Sequence, residues 1–234
     1  LNSAGLLTGD PALADKKWRS ILVHESQHMV NSRYHSANEP SAFDEGKAML
    51  AEILTGHGLP AGDALMWANI YAFEQHPALH SLLDMEYDRQ NPMGTYGMGV
   101  LWVCYIYDRF GSETLYDIAT NPLAGMAGTV AVTGIQGESL FRDWILANVL
   151  DVSVDSPRFR YRTIHPIGEG GKKYYLPLPG FAADQAQALP QSLSTRQVKS
   201  YGVDYYRADG AGQVSVVGEG IDGFVVRHPA GTRQ

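Results

Sequence analysis

From Lys16 to Leu150, apolar residues recur every three or four positions in segments of ten or more, the spacing of amphipathic or buried helices. This period predicts helices near residues 15–33, 41–56, 62–75, 78–87, 95–110, 112–119 and 136–149. Punctuation agrees with several of the ends. Gly56, Gly58 and Pro60 stop the second helix and Gly111 stops the fifth, because glycine accepts a left-handed cap and proline cannot continue a helix. Ser112 with Glu113, and Glu138 with Ser139, stand where helix starts are expected, and Asn91 to Thr95 form a turn that leads into the helix near Tyr96.

After Asp151 the pattern changes to short β-prone runs separated by Gly and Pro: 173–176, 197–207, 213–217 and 223–227. Residues 205–214 read as a hairpin, with Asp209-Gly210 supplying the positive φ values of a tight turn. Residues 177–195, rich in Pro, Ala and Gln, read as a long loop. The expected fold class is therefore α+β: a mostly helical domain over residues 1–150, followed by a small β-rich domain over 151–234.

Composition narrows the function classes. Hydrophobic residues at 44% and charged residues at 18% suit a folded globular chain. The net charge of -7, with lysines and arginines scattered along the chain and no long basic run, argues against the basic patch that a nucleic-acid partner needs. The longest apolar candidate, Gly97 to Ile106, is far shorter than the roughly 18 residues of a membrane helix. The single cysteine, Cys104, sits among Leu101, Trp102, Val103 and Tyr105 and reads as core. The opening LNSAGLLTGD has neither Met nor a signal-like apolar stretch, and reads as a mature or trimmed segment.

The segment Ile21 to Val30 contains His24-Glu25-Ser26-Gln27-His28, an H-E-x-x-H inside an apolar-periodic helix. Imidazoles at i and i+4 project from one face about one turn apart, so both can reach a single zinc ion. Glu25 then lies beside the metal, placed to take a proton from bound water without being a ligand. A catalytic zinc needs a third protein ligand and an open position. Glu45 fits: it opens the second helix, sixteen residues separate it from His28, and that spacing accommodates one loop and an antiparallel return. Glu52, seven positions on along the same face, can accept a hydrogen bond from a ligand histidine and fix its tautomer.

The run HESQH, then DEGKAMLAE, then TYGMGVLWVCYIYDRFG resembles the thermolysin-like gluzincin peptidases, and within them the hyicolysin family of bacterial neutral zinc metallopeptidases. The E-G-x-A-x-x-x-E of Glu45 to Glu52 is also similar to the third-ligand helix of aminopeptidase N-like enzymes, which implies zinc ligation by Glu45 and support of a histidine by Glu52. Their Y-x-x-G matches Tyr96 to Gly99 and implies that the Tyr96 hydroxyl stabilises the tetrahedral oxyanion. The resemblance covers residues 18–150 and implies a thermolysin-like catalytic lobe and an extracellular or periplasmic location. There are departures. Met49 stands where thermolysin has an Asp four residues after its third ligand, and the β-sheet that normally precedes the zinc helix cannot fit into 23 residues.

Plainer readings compete at each position. H-E-x-x-H alone also occurs in surface helices with solvated side chains, Glu45 could be a first-turn glutamate favoured by the helix dipole, and Glu52 a solvated or capping carboxylate. Tyr96 could be a core tyrosine. His35 is the local rival for third ligand, but Asn31 and Tyr34 occupy the places where the metzincin pattern wants glycine and histidine. His57, His76, His80, His165 and His228 stand alone and read as structural or surface histidines. The combination favours a zinc peptidase acting on peptide or protein, an endopeptidase in preference to an aminopeptidase, with His24, His28 and Glu45 on the metal. The competing classes are a non-catalytic zinc-containing binding module and a zinc hydrolase of non-peptide bonds.

Overall fold

The computed structural model describes residues 11–35, 38–58, 64–83, 92–150, 156–163, 187–188, 198–203, 205 and 208–209. Six α-helices follow in chain order among them: α1 Pro11–Tyr34, α2 Ser41–Leu54, α3 Ala64–Gln75, α4 Pro92–Thr120, α5 Gly125–Thr133 and α6 Gly137–Leu150. A 3-10 turn, Pro77–Leu79, follows α3.

The centre of the molecule is α4. Every residue from Gly97 to Ile106 is buried, so this stretch is apolar on all sides because helices surround it, with α2 and α3 against most of its length. Trp102 meets Trp144 of α6 edge-on at 5.8 Å between ring centroids, and Phe73 of α3 stacks on the same Trp144 at 6.0 Å. No helix among the described residues is long and apolar enough to cross a membrane.

Glycines let α4 approach its neighbours. A Cβ on Gly99 would lie 2.0 Å from the Ala42 carbonyl oxygen of α2, and one on Gly46 would lie 2.3 Å from the Gly99 carbonyl oxygen. The two backbones therefore touch directly, with no side chain between them. This contact fixes the height and rotation of α2, and so of Glu45, the residue before Gly46.

Gly111 has a different task. Its φ of 88° and ψ of 175° interrupt α4, so the helical stretches expected at 95–110 and 112–119 do form, on either side of this break. That region of backbone space is essentially reserved for glycine. Alanine at Gly111 meets no steric neighbour within 4 Å, so it should cost about 1–3 kcal/mol through backbone strain alone, read from a urea unfolding midpoint.

Three expectations require correction. The helix expected at 78–87 stops after the 3-10 turn: Ser81 Oγ donates to the Ser200 carbonyl at 2.5 Å, and the Leu82 N–H donates to the Tyr201 carbonyl at 3.2 Å. Those long-range bonds replace the local ones a helix would use; residues 84–87 lie outside the described residues. Conversely, α5 forms from GMAGTVAVT, in which two glycines and four β-branched residues outnumber the helix formers Met126, Ala127 and Ala131.

The third correction concerns the fold class. A β-rich C-terminal domain is not what the described residues form, for they are overwhelmingly helical. Strand is confined to two residue pairs, Gln187–Ala188 (β1) and Ala208–Asp209 (β2), paired in parallel. β2 uses Asp209, a residue expected in a hairpin turn, and β1 lies in the expected loop. The run expected as a strand at 197–207 is instead turn and irregular chain over 198–203, with the Gly202 N–H donating to the Lys199 carbonyl at 2.8 Å. Its apolar residues are spent on the helical core: Val203 and Tyr205 are buried there, as is Tyr161 from the stretch after α6. Tyr161 donates to Asn148 of α6, and Asn148 in turn donates to the Tyr205 hydroxyl at 3.0 Å. β-prone composition reflects a preference for half-buried surroundings as much as for a sheet, and here helices provide them. The runs expected at 173–176, 213–217 and 223–227 lie outside the described residues.

Candidate metal centre

α1 and α2 run against each other and bring His24, His28 and Glu45 together, with one possible ligand atom from each lying within 4.8 Å of the others. The two imidazoles are one helical turn apart on α1, their rings edge-to-face at 4.7 Å. Both present Nε2 to the same Glu45 oxygen, His24 at 3.2 Å and His28 at 3.6 Å. Tetrahedral zinc with bonds of about 2.05 Å keeps its ligand atoms about 3.3 Å apart, so the two separations to Glu45 match two edges of such a site. Glu45 is buried, while the imidazoles keep 20% and 23% of their side-chain surface exposed, so the histidines are not closed off from solvent.

Each imidazole is held from behind by a carboxylate. His24 Nδ1 lies 2.7 Å from Glu52 Oε1, and Ser20 Oγ donates to the other Glu52 oxygen. His28 Nδ1 lies 3.0 Å from Asp44 Oδ1. Imidazoles backed in this way are oriented with Nε2 towards the centre and are more basic ligands.

The electrostatics follow from this geometry. At His24, burial alone would lower the imidazole pKa, but hydrogen bonds and charge from Glu45 and Glu52 outweigh it and raise the value to about 9. At His28, hydrogen bonds to Asp44 and Glu45 overcome burial and raise it to about 10. Without a metal, the cluster therefore collects protons around buried negative charge.

The other expected site residues are placed as follows. Glu25 is exposed on α1, the next residue after His24. Tyr96 stands in the first turns of α4, half-buried and packed against the hydrophobic core. A shallow groove of about 320 Å³ is lined by Leu22, Val23, Ser26, Gln27 and Val30 of α1 with Ala51 of α2, residues interleaved with His24, Glu25 and His28. His35, the rival ligand, is buried elsewhere: its Nε2 donates to the Asn121 carbonyl at 2.7 Å, and Nδ1 lies 2.8 Å from Glu39.

Sequence reasoning missed Asp44, Ser20, Asn31 and Lys47. The signal for Asp44 was present, because a carboxylate one residue before Glu45 lies about 100° round the helix, towards the second imidazole. Asn31 and Ser20, at His28+3 and His24−4, share the face of the two histidines and could have been found from that spacing. Lys47 carried no signal, since a lysine amid apolar residues reads as solvated.

Comparison of the chain with protein families, with curated proteins and with solved structures gives no match.

Proposed function

We propose that the chain is a zinc-dependent peptidase whose metal is held by His24, His28 and Glu45. One observation carries this reading: two imidazole nitrogens and a buried carboxylate oxygen converge at tetrahedral-edge distances, with a carboxylate behind each imidazole. A surface helix with solvated histidines has no reason to bury a glutamate between them, because a buried charge is costly unless it serves a partner.

Zinc at this place would act as a Lewis acid on a scissile carbonyl and lower the pKa of a water at its open position. Glu52 and Asp44 hold the imidazoles in register throughout. Glu25, exposed beside His24, takes the proton of the attacking water and returns it to the departing amine. The Tyr96 hydroxyl donates to the carbonyl oxygen as negative charge develops there. An endopeptidase is the preferred form of the activity.

Glu25→Gln separates chemistry from metal binding. It should lower hydrolysis of a casein substrate by about a hundredfold or more while leaving zinc content at one ion per chain. A zinc-loaded wild-type chain that leaves casein intact would sink the peptidase reading and favour a zinc-containing binding module.

A further inference from the structure

Behind His28 lies a buried polar chain that the proposed chemistry does not use. Asn31, Lys47, Glu39 and His35 are exposed by only 2%, 5%, 8% and 3%, deep for groups of this kind. Lys47 Nζ donates to Glu39 Oε1 at 2.8 Å and to Asn31 Oδ1 at 2.5 Å. Asn31 Nδ2 donates to Asp44 Oδ1 at 2.7 Å, and the same oxygen faces His28 Nδ1.

The order of these contacts is dictated by chemistry. An ammonium only donates, so the atom of Asn31 facing Lys47 must be the amide oxygen. The amide NH₂ is thereby aimed at Asp44, whose ionised carboxylate only accepts. Asp44 is thus held with Oδ1 3.0 Å from His28 Nδ1, where its charge favours a proton on Nδ1 and so leaves Nε2 for a metal. Without the lysine, the Asn31 amide oxygen keeps only the His35 Nδ1 contact at 3.0 Å, and Asn31, with the Asp44 carboxylate that it holds, is fixed less firmly behind His28.

We propose that Lys47 is a positioning residue for the metal centre, acting through Asn31 and Asp44 on the orientation of His28. The proposal rests on the metal-centre reading above. It assigns to a buried lysine a role in metal affinity that reaches His28 through two intervening side chains. Glu39 anchors the far end of the chain: Oε1 accepts from Lys47, and Oε2 accepts the Gly125 N–H at 3.2 Å and lies 2.8 Å from His35 Nδ1.

Lys47→Met alone would strand the Glu39 carboxylate in the interior and could unfold the chain, because an uncompensated buried charge is strongly destabilising. The informative variant is therefore Lys47→Met with Glu39→Gln, which removes both charges together. The chain is loaded with Zn²⁺ for affinity by chelator competition and with Co²⁺ for its visible absorption. If Lys47 positions His28, the double variant keeps native helicity and cooperative melting, binds zinc roughly 10- to 100-fold more weakly, and shows an altered Co²⁺ spectrum. Glu39→Gln alone leaves Lys47 the Gln and Asn31 amide oxygens as acceptors, with the Asp44 carboxylate still acting on its charge, and should retain affinity within a few-fold. A folded double variant with native zinc affinity and an unchanged Co²⁺ spectrum would overturn the proposal while leaving the metal centre standing. A wild-type chain that takes up neither metal would overturn the metal-centre reading and this one with it. A double variant that loses cooperative melting, while Glu39→Gln alone keeps it, would show Lys47 holding the fold and would also overturn the positioning role.

Discussion

Alanine at Gly99 should separate α2 from α4 and disable the proposed metal centre from a distance. The added Cβ would sit 2.0 Å from the Ala42 carbonyl oxygen, where real carbon contacts do not occur, and the obstacle is backbone that cannot rotate away. Relief requires α2 to move by an ångström or more, whereas overpacking a core with side chains that can yield costs about 1–3 kcal/mol. The cost at Gly99 should exceed that range. Glu45 lies three residues beyond Ala42 on the displaced helix, while His24 and His28 stay with α1, so the separations of 3.2 and 3.6 Å both open. The measurements are unfolding by urea and zinc content after dialysis: Gly99→Ala should lose several kcal/mol of stability and most of its zinc. Gly56→Ala is the control, since its φ of 78° is strained for alanine but nothing lies within 4 Å. It should cost about 1–2 kcal/mol and leave zinc untouched. Native stability and full zinc in Gly99→Ala would show that the two backbones do not touch.

The sequence carried α1, α2, α3, α6 and the break at Gly111 because each is written in local signals, an apolar period with glycine or proline at its ends. It carried the triad of His24, His28 and Glu45 for a related reason. Two members share one helix face at a fixed interval, and the third sits one loop away, so little long-range information was needed to bring them together. Glu52 could be placed behind His24 by the same arithmetic, two turns beyond Glu45.

What escaped depends on distant partners. Ser81 and Leu82 look able to extend a helix after Pro77, but they bond to Ser200 and Tyr201, more than a hundred residues away. Tyr161, Val203 and Tyr205 look like strand residues, and only the crevices left by α4 and α6 make them core. α5 is assembled from poor helix formers because its position against α4 and α6 compensates for weak propensity. Lys47 and Glu39 disguise their role most completely, for a buried pair of opposite charges leaves the same letters in the sequence as two solvated residues. The same logic applies to Tyr96-Gly97-Met98-Gly99. The resemblance draws the eye to the tyrosine, while Gly97 and Gly99 bring the Asn69 and Ala42 backbones against α4, a constraint on shape that a motif does not announce.

On the proposed metal-centre reading, zinc uptake should expel two protons, and its affinity should therefore depend steeply on pH. In the metal-free chain the imidazoles of His24 and His28 hold their protons up to about pH 9 and 10, because Glu45, Glu52 and Asp44 surround them. Since they share Glu45, they titrate as a pair. A zinc ion needs both Nε2 lone pairs, so below about pH 9 each binding event displaces two protons, and affinity should climb by about a hundredfold per pH unit. Replacing two protons by a doubly charged ion leaves the net charge of the cluster unchanged, which is why a buried, carboxylate-rich site can serve both states. Calorimetry at pH 7.5 in buffers of different ionisation enthalpy counts the protons, and chelator competition at several pH values gives the slope. A count near zero, or affinity flat between pH 7 and 8, would show that the imidazoles are already neutral and that the surrounding carboxylates do not act on them as the geometry demands. Stability without metal runs the other way. Both pKa values lie above the 6.5 of an unfolded histidine, so this contribution is complete below about pH 6.5 and disappears as pH rises through 9 and 10. The chelator-treated chain should thus melt progressively lower from pH 7 to pH 10. The zinc-loaded chain should not, because the ion keeps two positive charges between the carboxylates after the protons have gone.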